Sequence, residues 1–391
     1  MADKSKEVVI ICGVRTPIGA YKGSLKKIKA DQLGAITIKE VLKKSKFNND
    51  EIDEVIIGQV LTAGCGQNPA RQAAIYAGIP ESKPSHIVNQ VCGSGLRAVI
   101  AGYQSIKLGD AKNIISGGQE NMSLASHSIF YRDEKKISKE KLVDTLINDG
   151  LTDAFNNYHM GITAENVAKK FDITREDQDK FALNSQKKTE EANNKNKFDD
   201  ELIKINQDGH ILEKDEHPRV GLELSDLKKL KTSFKENGTV TPGNSSGIND
   251  GAAALLLTTL EEAEKKSITP LAKIVSWAAV GVDPAFMGLG PIEAVREAIK
   301  KAKWNINEID LFEINEAFAA QTIAVIRELG IDQNKVNVNG GAIAIGHPIG
   351  ASGARILVTL IHELKRQNKN KGCATLCIGG GMGIALCVEK I

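Results

Sequence analysis

Residues 43–53 read K-K-S-K-F-N-N-D-E-I-D, and residues 300–310 read K-K-A-K-W-N-I-N-E-I-D. Each stretch closes a helical pattern, with Ile38, Val41 and Leu42 before the first and Val295, Ala298 and Ile299 before the second. Each leads into a strand-like run, V-I-I-G at 55–58 and L-F-E-I at 311–314. At nearly the same offset, Ser94-Gly95-Leu96-Arg97 returns as Ser352-Gly353-Ala354-Arg355, and both open helical patterns. Self-similarity of this length in matched contexts marks a duplicated unit. Alternating helix and strand patterns make that unit α/β.

The ends of the two copies differ. The second closes with A-T-L-C-I, a glycine turn and I-A-L-C-V, the signature of two buried strands joined as a hairpin. The first begins the same way, with N-I-I-S-G-G at 113–118, but its returning strand, G-A-A-A-L-L-L-T, appears only at 251–258. The polar residues between are therefore read as an insertion. The chain divides into a first half of 1–118 plus 250–268, an inserted domain of 119–249, and a second half of 269–391. Packing the halves through the helices near Ser94 and Ser352 would bring the two helix N-termini together.

Bulk properties exclude several classes. The chain of 391 residues is longer than one ordinary domain. Lys and Arg total 51 against 49 for Asp and Glu, too even a balance for a binder that works by neutralising phosphates. No stretch approaches the roughly 20 apolar residues of a membrane span. The N-terminus shows neither an apolar signal region nor an Arg-rich presequence. Six cysteines without such a signal imply free thiols in a reducing, cytoplasmic setting, and no C-x-x-C pair suggests zinc.

Four motifs have spare chemistry. Cys92, in N-Q-V-C-G-S-G-L-R-A at 89–98, stands on a turn before a helix, where free N–H groups and the dipole favour a thiolate. It could also be a buried turn cysteine. His347 lies in G-H-P-I-G-A-S-G-A-R, in the part of the second copy that corresponds to Cys92 in the first. Cys377 ends a strand beside a triple glycine whose N–H groups can face a ligand, or it is simply a core thiol. Asn315, in N-E-A-F at 315–318, either caps the next helix or supplies a site. The glycine-rich G-N-S-S-G-I-N-D-G at 243–251 is a turn cluster or a ligand cradle.

Together these motifs, with G-G-Q-E-N-M-S at 117–123, H-M-G-I-T-A-E-N at 159–166 and C-I-G-G-G-M-G at 377–383, resemble the thiolase family over the whole chain. C-G-S-G after the nucleophile and A-S-G after G-H-P-I-G are similar to its biosynthetic branch. The resemblance implies a duplicated thiolase fold, five-layered αβαβα with an inserted loop domain. It implies reversible Claisen condensation of two acetyl-CoA to acetoacetyl-CoA and CoA, by ping-pong through an acetyl-cysteine. Cys92 would be the nucleophile, His347 its activator and Cys377 the acid/base. Asn315 would hold a water in one oxyanion hole, and the Cys92 and Gly379 N–H groups would form the other. Coenzyme A would be bound by Leu151, His159, Met160, Arg219, Phe234, Gly243, Ser246, Ala317 and Phe318. The resemblance further implies no prosthetic group, coenzyme A thioesters as the only small partners, and a homo-oligomer, most simply a tetramer. Decarboxylating condensing enzymes share the fold class but usually carry Cys-His-His or Cys-His-Asn, and a second cysteine argues against them. A noncatalytic acyl-CoA carrier would not need Cys92, His347 and Cys377 intact.

Overall fold

The computed structural model describes residues 7–132, 138, 141–207 and 209–391. The first half runs β1 (Val8–Arg15), α1 (Ala30–Ser45), β2 (Glu54–Gly58), α2 (Pro69–Tyr76), β3 (Ser85–Val88), α3 (Ser94–Leu108) and β4 (Ile114–Asn121). A long excursion carries α4 (Met160–Lys170) and α5 (Arg175–Asn194) before β5 (Asn249–Thr259) returns. The second half runs β6 (Ala272–Gly281), α6 (Gly290–Ala302), β7 (Leu311–Ile314), α7 (Ala319–Leu329), α8 (Ser352–Gln367), β8 (Lys371–Ile378) and β9 (Met382–Lys390).

The strands lie in the order β7-β8-β9-β6-β1-β5-β4-β2-β3. In the first half β2 runs parallel to β3 and β4, and β5 is antiparallel to β4 and β1. In the second half β7 is parallel to β8, and β9 is antiparallel to β8 and β6. The bridge from Phe312 to Val336 stands where β3 lies in the first half. The halves are thus the same sheet twice, meeting edge to edge where Val9 pairs with Lys273 and Ile10 with Ala272. The 43–53 and 300–310 repeats occupy equivalent places, each leading from an outer helix to a parallel strand.

Period-two alternation builds five layers from this. Val55, Ile57 and Ile115 face outward against Ile38, Val41 and Ala73 of α1 and α2. Ile56 and Ile114 face inward onto Leu96, Val99 and Ile100 of α3. In the second sheet Ala374, Leu376 and Leu386 face inward onto Leu357, Leu360 and Leu364 of α8. Cys373, Ala385 and Cys387 face outward, under Val295 and Ile299 of α6 and Val325 of α7. The order is helices, sheet, the α3–α8 pair, sheet, helices.

The repeated Ser-Gly-x-Arg explains the centre. A Cβ on Gly95 would stand 2.8 Å from Ala354 N, and one on Gly353 would stand 2.3 Å from Leu96 N. Only glycine allows the starts of α3 and α8 to cross at that distance. The loops that precede these helices, carrying Cys92 and His347, are thereby forced side by side.

The excursion between β4 and β5 is tied to the first sheet by Arg15. This buried guanidinium reaches Glu201 Oε1 at 2.5 Å and Asp215 at 2.6 and 3.0 Å, with its Cζ 5.1 Å from the Phe198 ring centroid.

Candidate active site

The turn that carries Cys92 is strained. Val91 has φ of 45°, a rare conformation for a β-branched residue. It is held by Ser94, whose Oγ accepts from Gln90 N at 2.8 Å and donates to Val91 O at 2.6 Å. Strain over-determined in this way clusters where one atom must be aimed. The Gly379 N–H and Cys92's own N–H both bond to the thiol.

His347 arrives from the second copy. Its backbone N–H donates to Asn249 Oδ1 at 2.9 Å, so the start of β5 fixes the loop. Nδ1 lies 2.5 Å from Ser352 Oγ, and Nε2 lies 3.4 Å from Asn315 Nδ2. Asn315 Oδ1 has no protein partner although it is buried, which leaves an acceptor free for water or substrate. Glu120 joins the neighbouring loops, accepting from Val60 N at 3.0 Å, Leu61 N at 3.2 Å and Gly350 N at 2.9 Å. Burial nevertheless pushes its carboxyl up to about 7.

The thiol does not behave as its helix-start position suggests. Burial pushes Cys92 up to about 11 and outweighs the two N–H groups that favour the anion. The expected thiolate bias is therefore opposed: Cys92 is enclosed, though part-exposed to the cavity, and desolvation of a sulfur anion outweighs the N–H groups that favour it. Burial also drives His347 down to about 3, with Arg355 adding to the effect. Cys377 is raised further, by burial first and by Cys92 second. The resting pair is a neutral thiol beside a neutral imidazole.

A cavity of about 410 Å³ opens above these groups, lined by Cys92, His347 and Gly379. Leu151, His159, Met160, Arg219, Phe234, Ser246, Ala317 and Phe318 also line it. His159 stacks on Phe234 with centroids 4.5 Å apart, and Phe234 meets Phe318 edge-on at 6.3 Å. Ser246 N donates to Ala317 O at 3.0 Å and Ala319 N to Asn244 O at 2.9 Å, which joins G-N-S-S-G to N-E-A-F along one wall. Cys377 packs with Met160, Met287, Ala317 and Phe318 at the apolar end.

Gly243 is not among the lining residues; a Cβ there would meet the Leu227 and Leu230 side chains at 2.5 Å, away from the cavity. Asn315 touches the site through His347 rather than as wall. Sequence reasoning missed His217, Met122, Gly150 and Ile349, all of which line the cavity. Gly150 lies in a π-helical turn, Leu146–Leu151, a feature common at functional sites but without a sequence signature here. Among the described residues no cluster of side chains could hold a metal ion.

Two family models cover nearly all of the chain, "Thiolase, N-terminal domain" over residues 8–261 and "Thiolase, C-terminal domain" over 268–390. The chain belongs to the thiolase family. Among curated relatives it is 55% identical over 388 residues to acetyl-CoA acetyltransferase of Rhizobium meliloti, covering 98% of this chain and 99% of that one. It is 51% identical over 392 residues to cytosolic acetyl-CoA acetyltransferase of Rattus norvegicus, with 99% of each chain covered. The solved acetyl-CoA acetyltransferase of Bacillus anthracis superposes with TM-score 0.96 at 41% identity, over 98% of this chain and 99% of that one. Human mitochondrial 3-ketoacyl-CoA thiolase in complex with CoA also gives 0.96, at 39% identity, over 99% and 98%.

Proposed function

We propose that this protein condenses two acetyl-CoA to acetoacetyl-CoA and CoA, reversibly, through an acetyl group carried on Cys92. The observation that carries this is one thiol, one imidazole and the Gly379 backbone on the wall of a single cavity, with the second thiol, Cys377, buried behind its apolar end against Met160, Met287, Ala317 and Phe318.

In the first half-reaction Cys92 passes its proton to His347 Nε2 while the sulfur attacks the thioester carbonyl. The oxyanion falls between the N–H groups of Cys92 and Gly379, each such donor being worth about 2.7–4 kcal/mol. Coenzyme A leaves as a thiolate, a good leaving group in its own right, and takes up the Cys377 proton, which leaves Cys377 as the thiolate and the Cys92 proton on His347. In the second half-reaction Cys377, as thiolate, takes a proton from the methyl group of a second acetyl-CoA. The enolate oxygen is held by His347 and a water on Asn315. The enolate carbon attacks acetyl-Cys92, whose sulfur leaves and recovers its proton from His347, while Cys377 keeps the methyl proton as its thiol. One covalent intermediate and two half-reactions give ping-pong kinetics.

Coenzyme A is held along the wall of Leu151, His159, Met160, Arg219, Phe234, Ser246, Ala317 and Phe318. Met160 and Met287 close the acyl end, at 7% and 3% exposure. Short acyl groups are therefore preferred. A rate series over 3-ketoacyl-CoA lengths tests this: kcat/KM for acetoacetyl-CoA should exceed that for 3-ketohexanoyl-CoA at least tenfold, since each misfit methylene costs about 1–3 kcal/mol. Equal values up to eight carbons overturn the assignment.

The protein works as a homotetramer in the cytoplasm. Leu124 and Phe130, 48% and 93% exposed, and the exposed Tyr131 and Leu142 supply an apolar surface in the 119–145 segment suited to a subunit contact. Residues 133–137, 139 and 140 of that segment lie outside the described residues. Light scattering at micromolar concentration should give a tetramer mass, and a monomer refutes it. The cytoplasmic placement is supported by the cytosolic rat relative and by a chain in which no described helix is long and apolar enough to cross a membrane.

A further inference from the structure

The duplicated Ser-Gly-x-Arg starts two helices, and each of its serines touches a loop that bears a reacting group. In the first copy the roles of Ser94 are fixed by chemistry. Gln90 N–H can only donate, so Ser94 Oγ accepts from it and spends its own proton on Val91 O. In the second copy Ser352 Oγ lies 2.8 Å from Pro348 O and 2.5 Å from His347 Nδ1. A carbonyl can only accept, so the equivalent arrangement has Ser352 donate to Pro348 O and accept from Nδ1–H.

We propose that Ser352 is a positioning residue that holds His347 as the Nδ1–H tautomer and so leaves the Nε2 lone pair facing Cys92. The claim rests on the reading of His347 as the base. Asn315 completes it: Nδ2, 3.4 Å from Nε2, donates to that lone pair and turns Oδ1, which has no protein partner, elsewhere. The opposite assignment puts the proton on Nε2. It requires the Asn315 amide to turn its oxygen to the ring and Ser352 to abandon Pro348 O for Nδ1. It also leaves His347 no lone pair on the cavity side. His347 is 5% exposed and Ser352 is fully buried, so water does not compete for Nδ1. The two copies then share one device. In each, a serine at the helix start accepts from the preceding loop and donates to a carbonyl three or four residues back. One copy aims a nucleophile and the other orients its base.

Magic-angle-spinning NMR of the whole protein, labelled with 15N-histidine and free of substrate, reads the tautomer. The chain has seven histidines, and the His347 signals are those absent from His347→Asn protein. The resting protein should show a protonated Nδ1 and an unprotonated Nε2 for His347. In Ser352→Ala the proton should redistribute to Nε2, kcat for acetoacetyl-CoA thiolysis should fall about 100-fold, and KM should change less than about threefold. A protonated Nε2 in the unaltered protein overturns the proposal, as does wild-type kcat in a folded Ser352→Ala protein. The NMR result involves no turnover, so it stands even if the assignment of Cys92 as acyl carrier fails.

Discussion

Incubated briefly with acetyl-CoA, Cys377→Ala protein is expected to gain one acetyl group by intact-protein mass spectrometry, whereas Cys92→Ala protein gains none. The two sulfurs occupy different environments. Cys92 stands on the strained turn after Val91, with two N–H groups on its sulfur and His347 in the same cavity wall. Cys377 ends β8, buried among methionine and aromatic side chains. The first is built to be attacked and released, the second to exchange a proton with a carbon acid. Cys377→Ala should therefore keep the first half-reaction and lose condensation by at least the factor of about 10²–10⁴ that acid–base groups supply. Cys92→Ala should lose both. Acetylation of Cys377 in the Cys92→Ala protein would falsify the division of roles.

Much of this was legible in the chain before any coordinates, because duplication leaves a record in sequence. The K-K-x-K…N-E-I-D repeat marks equivalent helix-to-strand passages, and the two Ser-Gly-x-Arg starts announce the glycine crossing that sets Cys92 and His347 side by side. What could not be read there are contacts between residues far apart in the chain. Asn249 holds the backbone of His347, and Glu120 gathers N–H groups from Val60, Leu61 and Gly350, yet neither carries a local pattern. The thiol state failed for a different reason. A helix start is visible in sequence, but its enclosure is not, and at Cys92 burial outweighs the N–H groups that favour the anion. Gly243 shows the same limit: its neighbours in the chain line the cavity, while its own α-carbon faces Leu227 and Leu230.

Arg15→Met should be the most damaging single change outside the cavity, lowering stability against urea by about 3–5 kcal/mol. Arg15 is fully buried at the end of β1, and its partners Glu201 and Asp215 are 1% and 8% exposed. Removing the cation leaves two carboxylates out of water with no guanidinium bonded to them, Arg355 acting on both only through space, and that orphaning, rather than the lost attraction, sets the cost. Asp215 retains Ile18 N at 2.8 Å and Glu201 retains Thr359 Oγ1 at 3.1 Å, neither of which neutralises a charge. The same reasoning predicts that a double variant, Arg15→Met with Glu201→Met, recovers part of the loss, because one of the two orphaned carboxylates is gone and an apolar side chain fills its place. The change should also reach the cavity unevenly. His159, Arg219 and Phe234 belong to the excursion that Arg15 ties down, whereas Cys92, His347 and Cys377 belong to the duplicated sheets. Below the denaturation range KM for acetoacetyl-CoA should therefore rise more than kcat falls. Urea titration followed by circular dichroism checks the first part, and a loss under about 1 kcal/mol would show that the Arg15 cluster is not what secures the excursion to the first sheet.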